Sequence, residues 1–105
     1  MIGLTARATR QFQELRAHYE DRERPAAIRA LIEALEQASV KIEAAPHLGL
    51  VAPRPYPRLA QPGRAWVKSG RYWIAYDNAS PPVITAVFYE TSDIPARLGD
   101  TNDGR

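Results

Sequence analysis

From Ala8 onward, apolar side chains recur as Ala8, Phe12, Leu15 and Tyr19, at spacings of four, three and four residues. That period lines one face of an α-helix, because residues three and four apart stack on the same side of a 3.6-residue turn. Arg10, Gln13, Glu14 and Arg16 fall on the other face. A short apolar strand, Ile2 to Leu4, precedes the helix, and Thr5 offers a hydroxyl to the free N–H groups of the first turn. The pattern lapses over Asp21 to Arg24. Pro25 then suits the first turn of a second helix, where a missing N–H costs nothing. Ile28, Leu31, Ile32, Leu35, Ser39 and Ile42 carry its stripe to Ala45, and Pro46 stops it by disfavouring helical geometry in the residue before. About 21 residues make a rod of roughly 30 Å. So short a turn forces the two helices antiparallel, and something flat must cover their stripes.

The period changes after the helices. Pro46, Pro53, Pro55, Pro57 and Pro62, with Gly49 and Gly63, mark an extended connector without a clean PxxP repeat. Arg64 to Lys68 then alternates, with Ala65 and Val67 opposite Arg64, Trp66 and Lys68. Ser69 and Gly70 suit a tight reversal, and Arg71 to Tyr76 alternates again, Tyr72, Ile74 and Tyr76 facing one way and Trp73 and Ala75 the other. After a loop from Asp77 to Pro82, Val83 to Tyr89 is the most apolar stretch and fits a central strand. Hairpin links make these three strands antiparallel. Helices first and strands after give an α+β domain: a short N-terminal strand and a long antiparallel helical hairpin packed on a C-terminal antiparallel sheet. Residues 1–98 form that single domain. Residues 99–105 lack an apolar anchor and are expected to fray as a flexible tail.

Composition narrows the chemistry. There is no cysteine, which excludes disulfides, thiolate metal sites and cysteine nucleophiles, and there are only two histidines. A reducing compartment fits. The first ten residues hold no apolar run of signal-peptide length, and no stretch of about 18 uncharged apolar residues occurs. Neither export nor membrane insertion is expected. The charges are unevenly placed: residues 1–43 balance seven basic side chains against seven acidic ones, whereas Ala44 to Tyr76 holds Arg54, Arg58, Arg64, Lys68 and Arg71 with no acid. Asp77 onward reverses the sign. Such polarity suits an anionic partner, or is a solvated rim neutralised by the C-terminal acids.

Candidate chemistry is sparse. The chain has no Gly-rich phosphate loop, no carboxylate pair at a site-like spacing and no histidine cluster, and His18 and His47 read as surface residues. Tyr72, Trp73, Tyr76, Phe88 and Tyr89 resemble a base-stacking platform, but alternation buries at least half of them. Arg64, Lys68 and Arg71 are the better candidates, because a two-residue turn should bring them to one sheet end, where three cations could grip phosphates.

In order and spacing, these pieces resemble the RelE/ParE family of type II toxin–antitoxin toxins, in its ParE-like branch. The likeness covers about residues 2 to 98. It lies in Leu4, Thr5, Ala8, Phe12 and Leu15, and in Ile42 followed by Pro46, His47, Leu48 and Gly49. Pro62, Gly63 and Arg64 continue it, and the string Gly70, Arg71, Tyr72, Trp73, Ile74, Ala75, Tyr76 is the most specific part. The apolar last strand and Asp93, Ile94, Pro95, Ala96, Arg97, Leu98 complete it.

The resemblance implies a cytoplasmic toxin that causes growth arrest in a plasmid-stabilisation type of system. It needs no cofactor or metal and works on DNA gyrase without catalysing a reaction itself. A cognate ParD-like antitoxin would neutralise it by wrapping the helices and sheet, with Ile28, Leu31, Leu35 and Trp73 as its contacts and an added strand on a free edge. Arg64, Arg71 and Arg97 would meet the target, and operator DNA would be reached only through the antitoxin. The RelE-like branch instead cleaves mRNA on the ribosome. In that alternative Arg64, Lys68, Arg71 and Tyr89 would be catalytic, yet Ala86 stands where such members often place an arginine. A non-toxic antitoxin-binding module is the third reading.

Overall fold

The computed structural model describes residues 1–101. Helix α1 spans Ala6–Asp21, and its N-cap Thr5 accepts a hydrogen bond from the Ala8 N–H at 3.2 Å. Helix α2 spans Pro25–Ala44, with proline in its first turn as the sequence implied. Between them the chain reverses through Glu23 at φ 52°, a left-handed conformation that lets so short a turn close. Leu31, Leu35, Ser39 and Ile42 are buried as expected, but Ala34 and Ala38 complete the inner face, and Ile32 turns outward. The small alanines let α2 lie close to the sheet.

Strands β1 (Gly3–Leu4), β2 (Arg64–Ser69), β3 (Tyr72–Asp77) and β4 (Val83–Tyr89) form one sheet in the order β1-β4-β3-β2. The last three are antiparallel neighbours, whereas β1 runs parallel to β4, so the sheet is mixed. β4 is interior, as its apolarity requires. The β2–β3 turn is Gly70-Arg71, with Gly70 at φ 55°, a conformation that favours glycine at the first central position of such a hairpin. An extra residue, Thr85, interrupts the β3–β4 register between Ala75 and Tyr76.

Both faces of the sheet are covered. Ala65, Tyr72, Ile74, Tyr76, Ile84 and Val87 pack against α1 and α2. On the other face Trp66, Trp73, Ala75, Ala86 and Phe88 form a second core under Ile94 and Leu98, with Tyr56 and Leu59 of the proline-rich connector at its margin. Ile94 and Leu98 belong to helix α3, Ile94–Thr101, which the apolar pattern of the strands does not announce. Residues 99–101 are therefore helical rather than part of a frayed tail, because the i, i+4 pair Ile94 and Leu98 anchors the helix. Residues 102–105 lie outside the described residues.

Ser39 joins the N-terminus to this frame. Its hydroxyl accepts from the buried Ile2 N–H at 2.7 Å, across 37 residues of sequence. Ser39→Ala should cost about 2 kcal/mol, since it leaves a buried donor unpaired. Chemical denaturation checks this, and a change within 0.5 kcal/mol would show that β1 is not held here.

Candidate functional site

A groove of about 890 Å³ opens where the C-terminal half of α1, the first turns of α2 and the ends of β3 and β4 meet. Its lining includes Leu15, Ala27, Ala30 and Val87 together with His18, Arg24, Arg71, Tyr89 and Arg97, and Glu14 is the one acid in it. Every cation in that lining comes from a different element or turn. Arg24 belongs to the α1–α2 turn, Arg71 to the β2–β3 turn and Arg97 to α3.

In the wall, the hydroxyls of Tyr19 and Tyr72 hydrogen-bond each other at 2.6 Å, both rings being buried. Burial first, then the bond to Tyr19, holds the Tyr72 hydroxyl well above the usual tyrosine range, against a smaller opposing pull from Arg24. Folding therefore favours the neutral phenol. The resulting stability is fully present below about pH 10 and is lost as pH rises from there toward the raised folded value. Tyr72→Phe should flatten the fall in denaturation midpoint between about pH 9.5 and 11.5; an unchanged slope would mean that another group causes it. Tyr89 packs edge-on against Tyr72 at 5.6 Å. Arg71 Nη1 donates to the Tyr89 hydroxyl at 3.4 Å and lies 3.6 Å from a Glu90 carboxylate oxygen.

The three strand cations do not all gather: Lys68 and Arg71 meet at Glu90, and Arg64 stands apart. Arg64 pairs in register with Asp77 at the far end of the β2–β3 ribbon from the turn that holds Arg71. At about 3.3 Å per residue it stands roughly 13 Å from Lys68 along β2. Its guanidinium donates to the Leu59 carbonyl and lies over the Trp66 ring at 5.4 Å. Lys68 shares the second face, over Trp73 at 5.7 Å, and its ammonium meets Glu90 at 3.0 Å. Glu90 thus holds both Lys68 and Arg71. Of the four residues in the catalytic alternative, Arg71 and Tyr89 touch, Lys68 joins Arg71 through Glu90, and only Arg64 stands apart.

The expected antitoxin contacts are also displaced. Leu31 and Leu35 are buried beneath the sheet, and Trp73 is buried on its opposite face. None forms an open surface on the folded chain, because both faces of the sheet are covered; Ile28 is half-buried at the core margin. His47 is exposed, whereas His18, though exposed, lines the groove. Arg71 and Arg97 do share that groove, without Arg64.

Three participants escaped the sequence reading. Glu90 sits one residue beyond β4, Tyr19 reads as simple core, and Gln11 belongs to neither face named for the first helix. The Gln11 side-chain oxygen accepts from the Val87 N–H at 2.8 Å, closing part of the β4 edge that β1 is too short to reach. Among the described residues no helix is long and apolar enough to cross a membrane, and no group of three or more His, Asp or Glu is gathered. No family model, curated protein or solved structure matches the chain.

Proposed function

We propose that this chain is a toxin of the ParE-like kind, which inhibits DNA gyrase by binding and is silenced by a cognate antitoxin. The reading begins with the sequence strings from Leu4 to Leu98 and is argued by analogy. The observation that carries it further is the separation of Arg64 from Lys68 and Arg71, the latter two both being tied to Glu90. A phosphoryl-transfer site needs its cations aimed at one developing charge. Here Arg64 is engaged at the far strand end and Lys68 is paired with Glu90. Ala86, in the place of an expected arginine, is buried in the second core. Binding, rather than catalysis, suits that arrangement, and a gyrase target places the protein in the cytoplasm.

The test uses purified protein, gyrase, ATP and relaxed plasmid. Supercoiling should fall with rising toxin, and detergent with protease should release linear DNA from trapped cleavage complexes. Full supercoiling at saturating protein ends this reading. Expression without growth arrest would favour the non-toxic binding module instead.

The ribonuclease reading keeps one observation, the 3.4 Å contact of Arg71 with the Tyr89 hydroxyl in the groove. It predicts codon-positioned cuts in ribosome-bound mRNA that Arg71→Ala abolishes. Intact transcripts during growth arrest would remove it.

A further inference from the structure

The connector between α2 and β2 is pinned to the sheet rather than slack. Leu50 exchanges two 2.7 Å main-chain hydrogen bonds with Trp66 on β2. Ala52 and Pro53 are buried, and Tyr56 and Leu59 pack at the margin of the second core. Three tight turns then fold the segment. The Tyr56 N–H donates to the Pro53 carbonyl at 2.7 Å, the Leu59 N–H to the Tyr56 carbonyl at 3.0 Å, and the Arg64 N–H to the Gln61 carbonyl at 3.2 Å. Arg54 and Arg58 occupy central positions of the first two turns, the corners of the path, and both are exposed. Among the described residues neither side chain enters a hydrogen bond or an ion pair.

The third turn delivers Arg64 to a pocket of about 230 Å³ at the start of β2. Its lining joins Gln61, Gly63 and Arg64 to Arg7 of α1, Asp77 at the end of β3 and Thr85, the extra residue of β4. The Arg64 guanidinium donates to the carbonyl of Leu59, the residue after Arg58, so the connector corners and the pocket share one end of the sheet. Asp77 is the one acid of the lining, and its Oδ1 accepts from the Ala79 N–H at 2.9 Å. Glu43 ends α2 on the helix side of the sheet, where the Ser39 hydroxyl donates to it at 3.5 Å. Glu90 is at the other end of the β2–β3 ribbon, paired with Lys68 and Arg71. Arg7, Arg54, Arg58 and Arg64 therefore outweigh the acid beside them.

Chemistry selects the occupant. A guanidinium presents forked N–H donors that match two oxygens of a phosphate. Bases find no platform here, since Tyr56 and Trp66 pack into the second core, and this favours the outside of a duplex over a single strand. We infer that Arg54, Arg58 and the pocket between Arg7 and Arg64 form a sequence-independent surface for the backbone of duplex DNA. One phosphate would meet the pocket and its neighbours the connector corners, which are already rigid before binding. The inference deepens the gyrase reading and rests on it for the source of the duplex, because gyrase holds double-stranded DNA.

The test is fluorescence anisotropy of a labelled duplex of about 20 base pairs, titrated with the full chain at salt from about 50 to 200 mM. Four phosphate contacts predict that log K falls against log salt with a slope of about −3 to −4. Arg54→Gln and Arg58→Gln should each weaken binding by roughly threefold or more at the lowest salt and flatten the slope by about 1. Both should keep the parent melting temperature, because neither side chain holds the fold. Arg29→Gln removes an exposed charge of α2 outside both pockets and should change nothing. In amide NMR of the 15N-labelled chain, the duplex should shift Gly63 and Thr85.

No binding at the lowest salt, a slope near zero, glutamine variants that bind like the parent, an equal loss from Arg29→Gln, or shifts centred on Tyr89 each overturns the inference. Tighter binding to a single strand of the same length overturns it in favour of base stacking. Stronger capture by phosphatidylglycerol vesicles, abolished by Leu48→Asp, overturns it in favour of a lipid surface, since Leu48 and Val51 are exposed on the same segment. Duplex binding with unimpaired supercoiling defeats the gyrase reading alone. Gyrase inhibition without duplex binding defeats the DNA surface alone.

Discussion

Gly49→Ala is expected to destabilise the fold by about 3 kcal/mol and to lower the melting temperature by roughly 15 °C. The backbone at Gly49 is ordinary, with φ −67° and ψ 158°, so conformational freedom is not the reason. Space is. An added Cβ would stand 2.9 Å from the Tyr76 Cζ and from the Ala65 Cβ, and closer still to the Tyr76 hydroxyl oxygen. Tyr76 cannot yield freely, because its ring is buried and its hydroxyl donates to the Pro46 carbonyl at 2.7 Å. Moving the ring would break that bond and leave a buried donor unpaired. Burial also raises the Tyr76 hydroxyl above its usual range, so it stays protonated and able to donate. Differential scanning calorimetry on the single variants and on Gly49→Ala with Tyr76→Phe tests this. The double variant should be more stable than the sum of the two losses implies, since removing the oxygen relieves the tightest contact. Strict additivity would count against the steric account.

The second large effect is expected at Trp66, where alanine should cost about 4 kcal/mol. The indole is fully buried, stacks on Phe88 at 6.2 Å with 26° between planes, and lies beneath the Arg64 guanidinium. Its loss would open a cavity beneath Ile94 and Leu98 of α3. Trp66→Phe should cost less than half as much, because the buried indole N–H has no hydrogen-bond partner among the described residues and its removal forfeits none. Val67→Ala, half-buried on the opposite face, provides the contrast at about 1 kcal/mol. Urea denaturation measures all three. If Trp66→Ala costs no more than Val67→Ala, the second face is a surface rather than a core.

Little of the candidate site could be read from the chain. Arg71, Tyr89 and Arg97 were visible as candidates, and all three line the groove. The grouping of Arg64 with Lys68 failed because alternation places residues on a face but does not say how far apart they stand along it. Glu90 was invisible because a lone acid after a strand carries no pattern, and only the Gly70-Arg71 turn brings two cations to it. Gln11 carries no signal in the sequence, yet it caps a strand residue 76 positions away.

By itself the sequence determined what depends on local geometry. Thr5, Pro25 and Pro46 bounded the helices, the 3.6-residue period chose their inner faces, and two-residue alternation with Gly70 defined the β2–β3 hairpin. These follow from backbone sterics and from hydrogen bonds a few residues long. Only the tertiary structure decided that β1 runs parallel to β4, that α3 seals a second core over Trp66 and Trp73, and that Glu90 meets both Lys68 and Arg71. Each of those depends on which distant surfaces meet, and burial of apolar area rewards that meeting without leaving a period in the chain.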